Sequence, residues 1–260
     1  MIPVALTIAG SDPGGGAGIQ ADLKTFHQFG VYGEAAVTLL TVQNTCNVFE
    51  VFCLEPRFVR AQVEAVLEDI PPQAAKTGAL GTEAIIEAVA ELAAGLRAPL
   101  VVDPVMISKH GAPLIEASAR SALEKKLLPR AALITPNLHE AAALAGREVA
   151  SLGQMETAAR LLFERTGAAV LVKGGHLPGE AVDVLCHRGE MRLYRCPRIE
   201  TRHTHGTGCT YSAAITACLA LGLELPDAVE RAKRFVTEAI RTSPGLGRGS
   251  GPVNHHAPAQ

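Results

Sequence analysis

VALTIAGSDPGGGAG, residues 4–18, is the stretch that decides the fold. Its opening apolar run, residues 4–9, predicts a buried strand. The glycines after it let the backbone approach a ligand closely, and a helix predicted over residues 18–29 offers free N–H groups at its start. The residue types alone are also compatible with a flexible turn. The spacing fits neither the GxGxxG dinucleotide fingerprint nor a P-loop.

The same alternation of apolar runs and helical stretches continues along the chain, as expected for parallel strands joined by crossover helices. Strands are predicted over residues 4–9, 35–43, 74–76, 100–102, 132–135 and 168–172, and helices over residues 18–29, 56–68, 83–94, 116–127, 137–145, 154–166, 208–221 and 226–241. Residues 182–187 and 191–196 predict an antiparallel hairpin. We therefore expect an α/β fold with a doubly wound, mostly parallel central sheet, helices on both faces and this late hairpin at one edge.

The composition favours one large aliphatic core. The chain has 260 residues, of which 48% are hydrophobic and only 4% aromatic, and no linker-like stretch divides it. We therefore expect a single domain over residues 1–260. From about residue 243 to residue 260 the chain is rich in Gly, Pro and His, which predicts an irregular tail with little to bury.

Charge and cysteine usage exclude several classes of protein. The 24 basic and 26 acidic residues form no long run of either sign, which argues against a nucleic-acid or membrane-surface partner. The N-terminal residues have no basic region and their apolar run is short, so they predict neither a signal peptide nor a membrane span. Six cysteines without a CxxC pair fit reduced thiols and a cytoplasmic location.

Polar residues that end the apolar runs are the candidates for a site, because ligands of open α/β sheets bind beyond the carboxyl ends of the strands. Asp103 ends one run and is well placed to hold a hydrated Mg²⁺ near phosphates. Lys173 ends another and suits an anionic ligand, although a solvated lysine is common at such a position. The amide of Gln43 can read a heteroaromatic ring or simply cap a loop.

Two acidic residues on predicted helices have competing interpretations. Asp22 lies on the apolar face of the first helix, where a carboxylate needs a partner of opposite charge or a functional role. The alternative is a partly exposed acid near the helix N-terminus, which the helix dipole stabilises. Asn137 and Glu140 have the spacing of a capping box, and a role near a metal is compatible with that spacing.

THGTGCT, residues 204–210, is the most informative segment because its glycines precede a small, apolar helix. Backbone N–H groups before such a helix converge on one point. The segment therefore predicts an anion-binding site formed by Gly206, Thr207 and Gly208. The pKa of Cys209, in the first turn, is expected to fall below the reference of about 8.5, which would let this thiol accept a proton. The alternative is a small buried cysteine. An HxH metal pair of His203 and His205 would lack a third ligand nearby.

Together these segments resemble the hydroxymethylpyrimidine/phosphomethylpyrimidine kinases of thiamine biosynthesis, members of the ribokinase-like superfamily. The resemblance runs from residue 4 to about residue 253. The segments that carry it are AGSDP at 9–13, GGAGIQAD at 15–22, QNT at 43–45, DPVM at 103–106, TPN at 135–137 with Glu140, KGGH at 173–176 and THGTGCT at 204–210.

The resemblance implies roles for individual residues. Asp22 and Gln43 would read a pyrimidine ring, and Cys209 would be the base beside its hydroxymethyl group. The residues implied close to the ring are Gly10, Ala17 and Val105, and those implied near Mg²⁺ and the phosphates of ATP are Asp103, Asn137, Glu140, Lys173, the turn over 206–208 and, on the last helix, Lys233. Some relatives carry a bulkier methionine at the position of Ala79, so this pocket would be less selective.

The resemblance therefore implies an ATP- and Mg²⁺-dependent kinase for hydroxymethylpyrimidine, acting on the alcohol and then on its monophosphate. It also implies a homodimer. A pyridoxal kinase is the nearest alternative, because pyridoxal also carries a hydroxymethyl group on a six-membered heteroaromatic ring. A non-catalytic sensor of a thiamine precursor is a second alternative, which the phosphate and magnesium residues disfavour.

Overall fold

The computed structural model describes residues 2–106, 114–115, 118–175, 177 and 179–259. Its strands are β1 (Val4–Ser11), β2 (Tyr32–Gln43), β3 (Val48–Cys53), β4 (Ala74–Thr77), β5 (Leu100–Val102), β6 (Leu133–Ile134), β7 (Ala169–Lys173), β8 (Ala181–His187) and β9 (Glu190–Cys196). Its helices are α1 (Gly18–Gln28), α2 (Pro56–Asp69), α3 (Glu83–Gly95), α4 (Ala119–Ala122), α5 (Leu138–Ala145), α6 (Leu152–Thr166), α7 (Thr207–Ala220) and α8 (Leu225–Arg241). A π-helical turn (Leu123–Leu127) and a 3-10 turn (Leu128–Arg130) follow α4.

The strands of the described ranges form one sheet in the order β3-β2-β1-β4-β5-β6-β7-β8-β9. The pairs from β2 to β7 are parallel, whereas β3, β8 and β9 pair antiparallel at the two edges. The order runs outward from β1 in both directions, which is the doubly wound arrangement and confirms the predicted fold class. The predicted hairpin is also present, and its turn at Arg188 and Gly189 has positive φ at both residues, as a two-residue hairpin turn requires.

Helices cover both faces of the sheet and enclose two aliphatic cores. One core contains Val59 of α2, Ile85 of α3 and Leu162 of α6, all buried. The other contains Ile215 of α7 and Phe235 of α8, packed against α1. Because β5 and β7 are buried on both faces, their sequences are continuous apolar runs rather than alternations.

Three features differ from the sequence prediction or extend beyond it. Strand β3 was not predicted; it is an edge strand whose Phe49 and Phe52 are exposed. The helix predicted over residues 116–127 starts at positions outside the described residues and is helical from Ala119. The tail is irregular, but the expectation that it buries little is wrong, since Val253 and Ala257 are buried in the core beside α7 and α8.

The described helices are either too short or too polar to cross a lipid bilayer. The most amphipathic of them, α8, packs its apolar side onto the second core.

Candidate active site

The candidate site lies at the carboxyl ends of the parallel strands. The chain leaves β1 into the glycine loop, leaves β5 at Asp103 and leaves β7 at Lys173. Helix α7 begins at Thr207 and contacts α1, β1, β4 and β5, which brings its N-terminal turn to the same edge. The parallel strands thus bring polar groups that lie far apart in the sequence to one edge of the sheet.

Asp103 and Lys173 form an ion pair at the centre of this edge. Lys173 Nζ lies 3.0 Å from Oδ1 of Asp103, which also accepts from Thr135 Oγ1 at 3.2 Å. Ser212 of α7 donates to Oδ2 at 3.3 Å. Burial alone would lower the pKa of Lys173, but the charges of Asp103 and Glu140 outweigh it and raise that pKa. Lys173 therefore carries a positive charge near neutral pH.

The glycine turn lies directly against this ion pair. A Cβ atom placed on Gly208 would lie 3.4 Å from Lys173 Nζ and 3.8 Å from Asp103 Oδ2. Gly206 has φ +78°, and a Cβ there would lie 1.7 Å from the carbonyl oxygen of Gly16, so only glycine fits. The N-terminus of α7 and the ammonium of Lys173 thus lie next to each other, and together they form a place suited to an anion.

Asn137 and Glu140 form the predicted capping box at the start of α5. The Asn137 side chain accepts from the Glu140 N–H at 2.9 Å, and Glu140 Oε2 accepts from the Asn137 N–H at 2.8 Å. Burial raises the pKa of Glu140 to about 7 even though Lys173 lowers it, so the protein does not fully compensate this carboxylate. A second cation, in addition to Lys173, would favour the ionised form of Glu140.

The donor set fits a hydrated magnesium ion. Asp103 and Glu140 are carboxylates close enough to perturb each other electrostatically, and carboxylates with retained water are the usual protein ligands of Mg²⁺. Among the described residues no cluster of three or more His, Cys, Asp or Glu side chains forms a closed metal cage. His203 and His205 do not act as a metal pair here, because His203 Nδ1 accepts from the Gly251 N–H at 3.2 Å.

Asp12 organises the glycine loop after β1. Its Oδ1 accepts from Gly14 N at 2.8 Å, and its Oδ2 accepts from Ala17 N at 2.9 Å and lies 2.7 Å from His205 Nε2. Burial acts to raise the pKa of Asp12, but His205 and the loop N–H groups outweigh it and lower that pKa. At Gly18 the loop returns so closely that a Cβ would lie 2.2 Å from the Gly10 oxygen.

A buried ion pair lies beneath the loop. Asp22 of α1 accepts from Lys76 Nζ at 2.7 Å and from Thr7 Oγ1 at 2.7 Å. Neither charged side chain is exposed. Burial acts to lower the pKa of Lys76, but Asp22, Cys209 and Asp103 outweigh it and raise that pKa. This explains why α1 can carry a carboxylate on its apolar face.

The expectation of a lowered pKa at Cys209 is wrong. Burial raises the pKa of this thiol to about 11, and the opposing effects of Lys76 and of the Gly18 N–H are smaller. The helix N-terminus does not compensate for removing the thiolate from water. Cys209 is thus protonated near neutral pH in the protein alone.

Comparisons with known proteins identify the family of this chain. A family model described as "Phosphomethylpyrimidine kinase" matches residues 12–254. The chain belongs to this family. A hydroxymethylpyrimidine/phosphomethylpyrimidine kinase of Synechococcus elongatus is 47% identical over 259 residues, covering 99% of this chain and 98% of the relative.

Two solved structures show the range of the kinases that this family member resembles. A phosphomethylpyrimidine kinase of Clostridium difficile 630 is 44% identical, covers 92% of this chain and 99% of its own, and has a TM-score of 0.82. A Bacillus subtilis pyridoxal kinase, solved as an ADP complex, is 40% identical, covers 99% of this chain and 98% of its own, and has a TM-score of 0.91. The chain is thus an ATP-dependent small-molecule kinase by family.

Two of the site residues implied by the resemblance, Asp22 and Lys233, have their charged groups bonded to other protein side chains. Asp22 offers no exposed carboxylate, because both of its oxygens are bonded inside the protein. Lys233 donates to Asp183 Oδ2 at 2.6 Å, and both side chains are buried. These contacts favour supporting roles for Asp22 and Lys233, and direct contact of either with a ligand remains a prediction. His176 lies outside the described residues.

Three functional candidates of this kinase were missed by the sequence reasoning: Asp12, Lys76 and His205. Asp12 and His205 stand in motifs that were singled out, but Asp12 was given no role and His205 was considered only as one half of an HxH metal pair. Lys76 ended a predicted strand, where a lysine is ordinarily solvated, so no signal in the sequence pointed to its burial.

Proposed function

We propose that this chain transfers the γ-phosphoryl group of ATP to the hydroxymethyl oxygen of hydroxymethylpyrimidine and then phosphorylates the monophosphate to the diphosphate. The observation that carries this is the convergence of Lys173, Asp103 and the turn at Gly208 on one point beside Cys209. Phosphoryl transfer has a loose transition state, so fixed positive groups around the moving phosphate supply most of the catalysis.

Each group around that point has a distinct part in the proposal. Lys173 and the N–H groups at the start of α7 stabilise charge on the transferring phosphoryl group. Asp103 and Glu140 would hold the waters of Mg²⁺, which would supply positive charge to neutralise the phosphates. Cys209 accepts the proton of the attacking hydroxyl as its thiolate, while the new P–O bond forms and the bond from the γ-phosphorus to ADP breaks. Because the pKa of this thiol is about 11, the thiolate is the minor form near neutral pH, and the rate of this step should rise with pH.

The pyrimidine would lie between the glycine loop and the residues after β2 and β5. Gln43 is the proposed contact to the ring, with Gly10, Ala17 and Val105 close to it. The half-buried Gln43 amide lies 3.3 Å from His205, which connects it to the loop that carries Ala17. Asp22 supports this floor through its pair with Lys76.

A pyridoxal kinase activity is the second candidate. The specific observation in its favour is the likeness of the whole chain to the Bacillus subtilis pyridoxal kinase. Thr38 Oγ1 donates to the Ala79 carbonyl oxygen at 2.6 Å, which fixes the position where a small side chain would leave room for a substituted pyridine.

The deciding experiment is a coupled ADP-release assay with Mg-ATP and three acceptors offered separately: hydroxymethylpyrimidine, its monophosphate and pyridoxal. We expect turnover on the first two to exceed that on pyridoxal by at least about tenfold in kcat/KM, the effect of roughly one lost hydrogen bond. A preference for pyridoxal would replace the first proposal with the second. Lack of turnover on all three would reject both.

We also propose a cytoplasmic homodimer. The outer side of β2 and β3, with nearby α2, exposes the large apolar side chains Leu40, Val42, Phe49, Phe52 and Phe58. Apolar side chains clustered at a sheet edge are typical of a surface that another chain covers. Sedimentation equilibrium of the wild type and of the Phe49→Lys, Phe52→Lys variant tests this, and a monomeric wild type would contradict it.

A further inference from the structure

His205 connects the glycine loop to the proposed ring contact. The side chain is buried, and its Nε2 atom lies 2.7 Å from Asp12 Oδ2 and 3.3 Å from the side-chain nitrogen of Gln43. Two nitrogens cannot both donate to each other, so the protonation of Nε2 decides how these three residues are bonded. At 2.7 Å a carboxylate oxygen requires a proton on that nitrogen. Nε2 therefore carries hydrogen and donates to Asp12.

A donor at His205 Nε2 in turn fixes the orientation of the Gln43 amide. The amide must present its oxygen, not its nitrogen, to His205, because oxygen and nitrogen can exchange places by a half-turn of the group. The other end of the amide agrees with this orientation. Thr41 Oγ1 lies 3.3 Å from that end and already donates to the Ser11 oxygen at 3.0 Å, so it is left to accept from the Gln43 nitrogen.

The resulting hydrogen bonds start at His205 Nε2. Its single hydrogen is shared between Asp12 Oδ2 and the Gln43 amide oxygen, the Gln43 nitrogen donates to Thr41 Oγ1, and Thr41 donates to the Ser11 oxygen. Within the described ranges, one N–H of the Gln43 amide has a protein partner. The second N–H remains for a ligand, and a ligand at this position must offer an acceptor, such as an unprotonated ring nitrogen.

The backbone of His205 is held by the C-terminal segment of residues 251–253. The His205 N–H donates to the Gly251 oxygen at 3.0 Å, and the Val253 N–H donates to the His205 oxygen at 3.3 Å. Val253 is itself buried in the second core. The imidazole thus has a fixed place relative to both the loop and Gln43.

We propose that His205 is a positioning residue for substrate selectivity, which fixes the Gln43 amide with an N–H facing the substrate ring, and that residues 251–253 hold it in place. This inference rests on the proposed function because it takes Gln43 as the ring contact. Pyridoxal, whose ring nitrogen would have to reach the same N–H, is the natural comparison substrate.

The kinetic test compares His205→Leu, which removes the donor, with His205→Gln, whose amide N–H can reach the place of Nε2. We expect His205→Leu to raise KM for hydroxymethylpyrimidine about tenfold with kcat and KM for ATP within about twofold, and His205→Gln to restore KM to within about threefold. His256→Leu, which removes an exposed histidine of the same segment, is the matched control. A fall of kcat with no selective change in KM would contradict the proposal.

Coupling between the residues gives a sharper criterion. If His205 acts through Gln43, then Gln43→Leu and the double variant His205→Leu, Gln43→Leu should have the same KM within about twofold. Additive effects would mean that His205 acts independently of Gln43 and would overturn the proposal.

A measurement on the wild type separates this proposal from the proposed function. Nitrogen-15 NMR of labelled histidines reports which ring nitrogen carries hydrogen, and the His205 signals are identified by their loss in His205→Gln. We expect hydrogen on Nε2. A proton on Nδ1 alone would overturn the inference whatever the enzyme phosphorylates, whereas lack of turnover with the correct tautomer would reject only the proposed function.

Discussion

Lys76 Nζ lies 2.7 Å from Asp22 Oδ1, and neither side chain is exposed to solvent. The pair joins the end of β4 to α1 beneath the glycine loop, and the charge of Lys76 acts on the thiol of Cys209. Removing one member of such a pair leaves an uncompensated buried charge, whereas removing both charges does not.

Lys76→Met should therefore reduce the free energy of unfolding by about 3–5 kcal/mol. The double variant Asp22→Asn, Lys76→Met should recover most of that loss. Urea unfolding followed by circular dichroism measures both. Lys125→Met, at an exposed position, is the control. Equal losses in the single and double variants would show that packing rather than charge accounts for the effect.

Lys76→Met alone should slow alkylation of Cys209, because it removes the ammonium while Asp22, whose charge raises the same pKa, stays in place. Burial raises the pKa of Cys209 to about 11, and the ammonium of Lys76 is the strongest influence that lowers it. Without that ammonium the pKa rises further, so less thiolate is present at any pH below 11. Iodoacetamide labelling from pH 7 to pH 10, with peptide mass spectrometry, follows this one cysteine. Unchanged labelling rates would exclude an electrostatic influence of Lys76.

Cys209→Ala should lower kcat by the factor of about 10²–10⁴ typical of a lost proton acceptor, with little change in KM. Cys218→Ala is the matched control, because Cys218 is buried on the same helix. ADP release measures both variants. Full activity of Cys209→Ala would remove Cys209 from the mechanism and leave catalysis to the fixed charges.

Gly206→Ala should abolish turnover and destabilise the fold more than Gly222→Ala. Both glycines have positive φ, +78° and +84°, so alanine is strained at either position. At Gly206 the new Cβ would meet the Gly16 oxygen, whereas no atom of the described residues lies within 4 Å of a Cβ at Gly222. Thermal unfolding and ADP release of the two variants separate the clash from the strain. Similar behaviour would mean that the close approach of the two loops is unimportant.

Glu34→Gln should raise the melting temperature above neutral pH. Glu34 is buried, its two carboxyl oxygens have no partner in the described part of the chain, and burial together with Asp69 raises its pKa to about 7. The folded state therefore binds more protons than the unfolded state between the two pKa values, and stability falls as pH rises through 7. We expect a gain of about 2–4 °C at pH 8 and little at pH 5 by calorimetry. A uniform gain at both pH values would contradict the titration.

The parallel part of the sheet was predictable because strands buried on both faces are continuous apolar runs, and Leu100–Val102 is typical. Strand β3 was not, because its Phe49 and Phe52 face solvent and its pairing with β2 is set by tertiary contact. Motif spacing placed Asp103, Lys173 and the glycine turn correctly at one edge of the sheet.

What the sequence could not show is burial, and burial decides the chemistry of several residues. The helix dipole at Cys209 was a sound expectation for a fully solvated thiol, but Cys209 is partly buried and desolvation is the largest influence on its pKa. Burial of Lys76 depends on Asp22, 54 residues away. Composition likewise predicted a loose tail without showing that Val253 belongs to the core.

The docking of the tail has a consequence for how the protein matures. The Gly249 N–H donates to Thr45 Oγ1 across 204 positions of sequence, and the neighbouring Ser250 N–H donates to the Thr45 oxygen. During synthesis the sheet can assemble as each strand leaves the ribosome, but the loop after β2 gains these bonds only when residues 249–253 emerge. A nascent chain stalled before that point would have a nearly complete sheet, but its loop after β2 would lack these two hydrogen bonds.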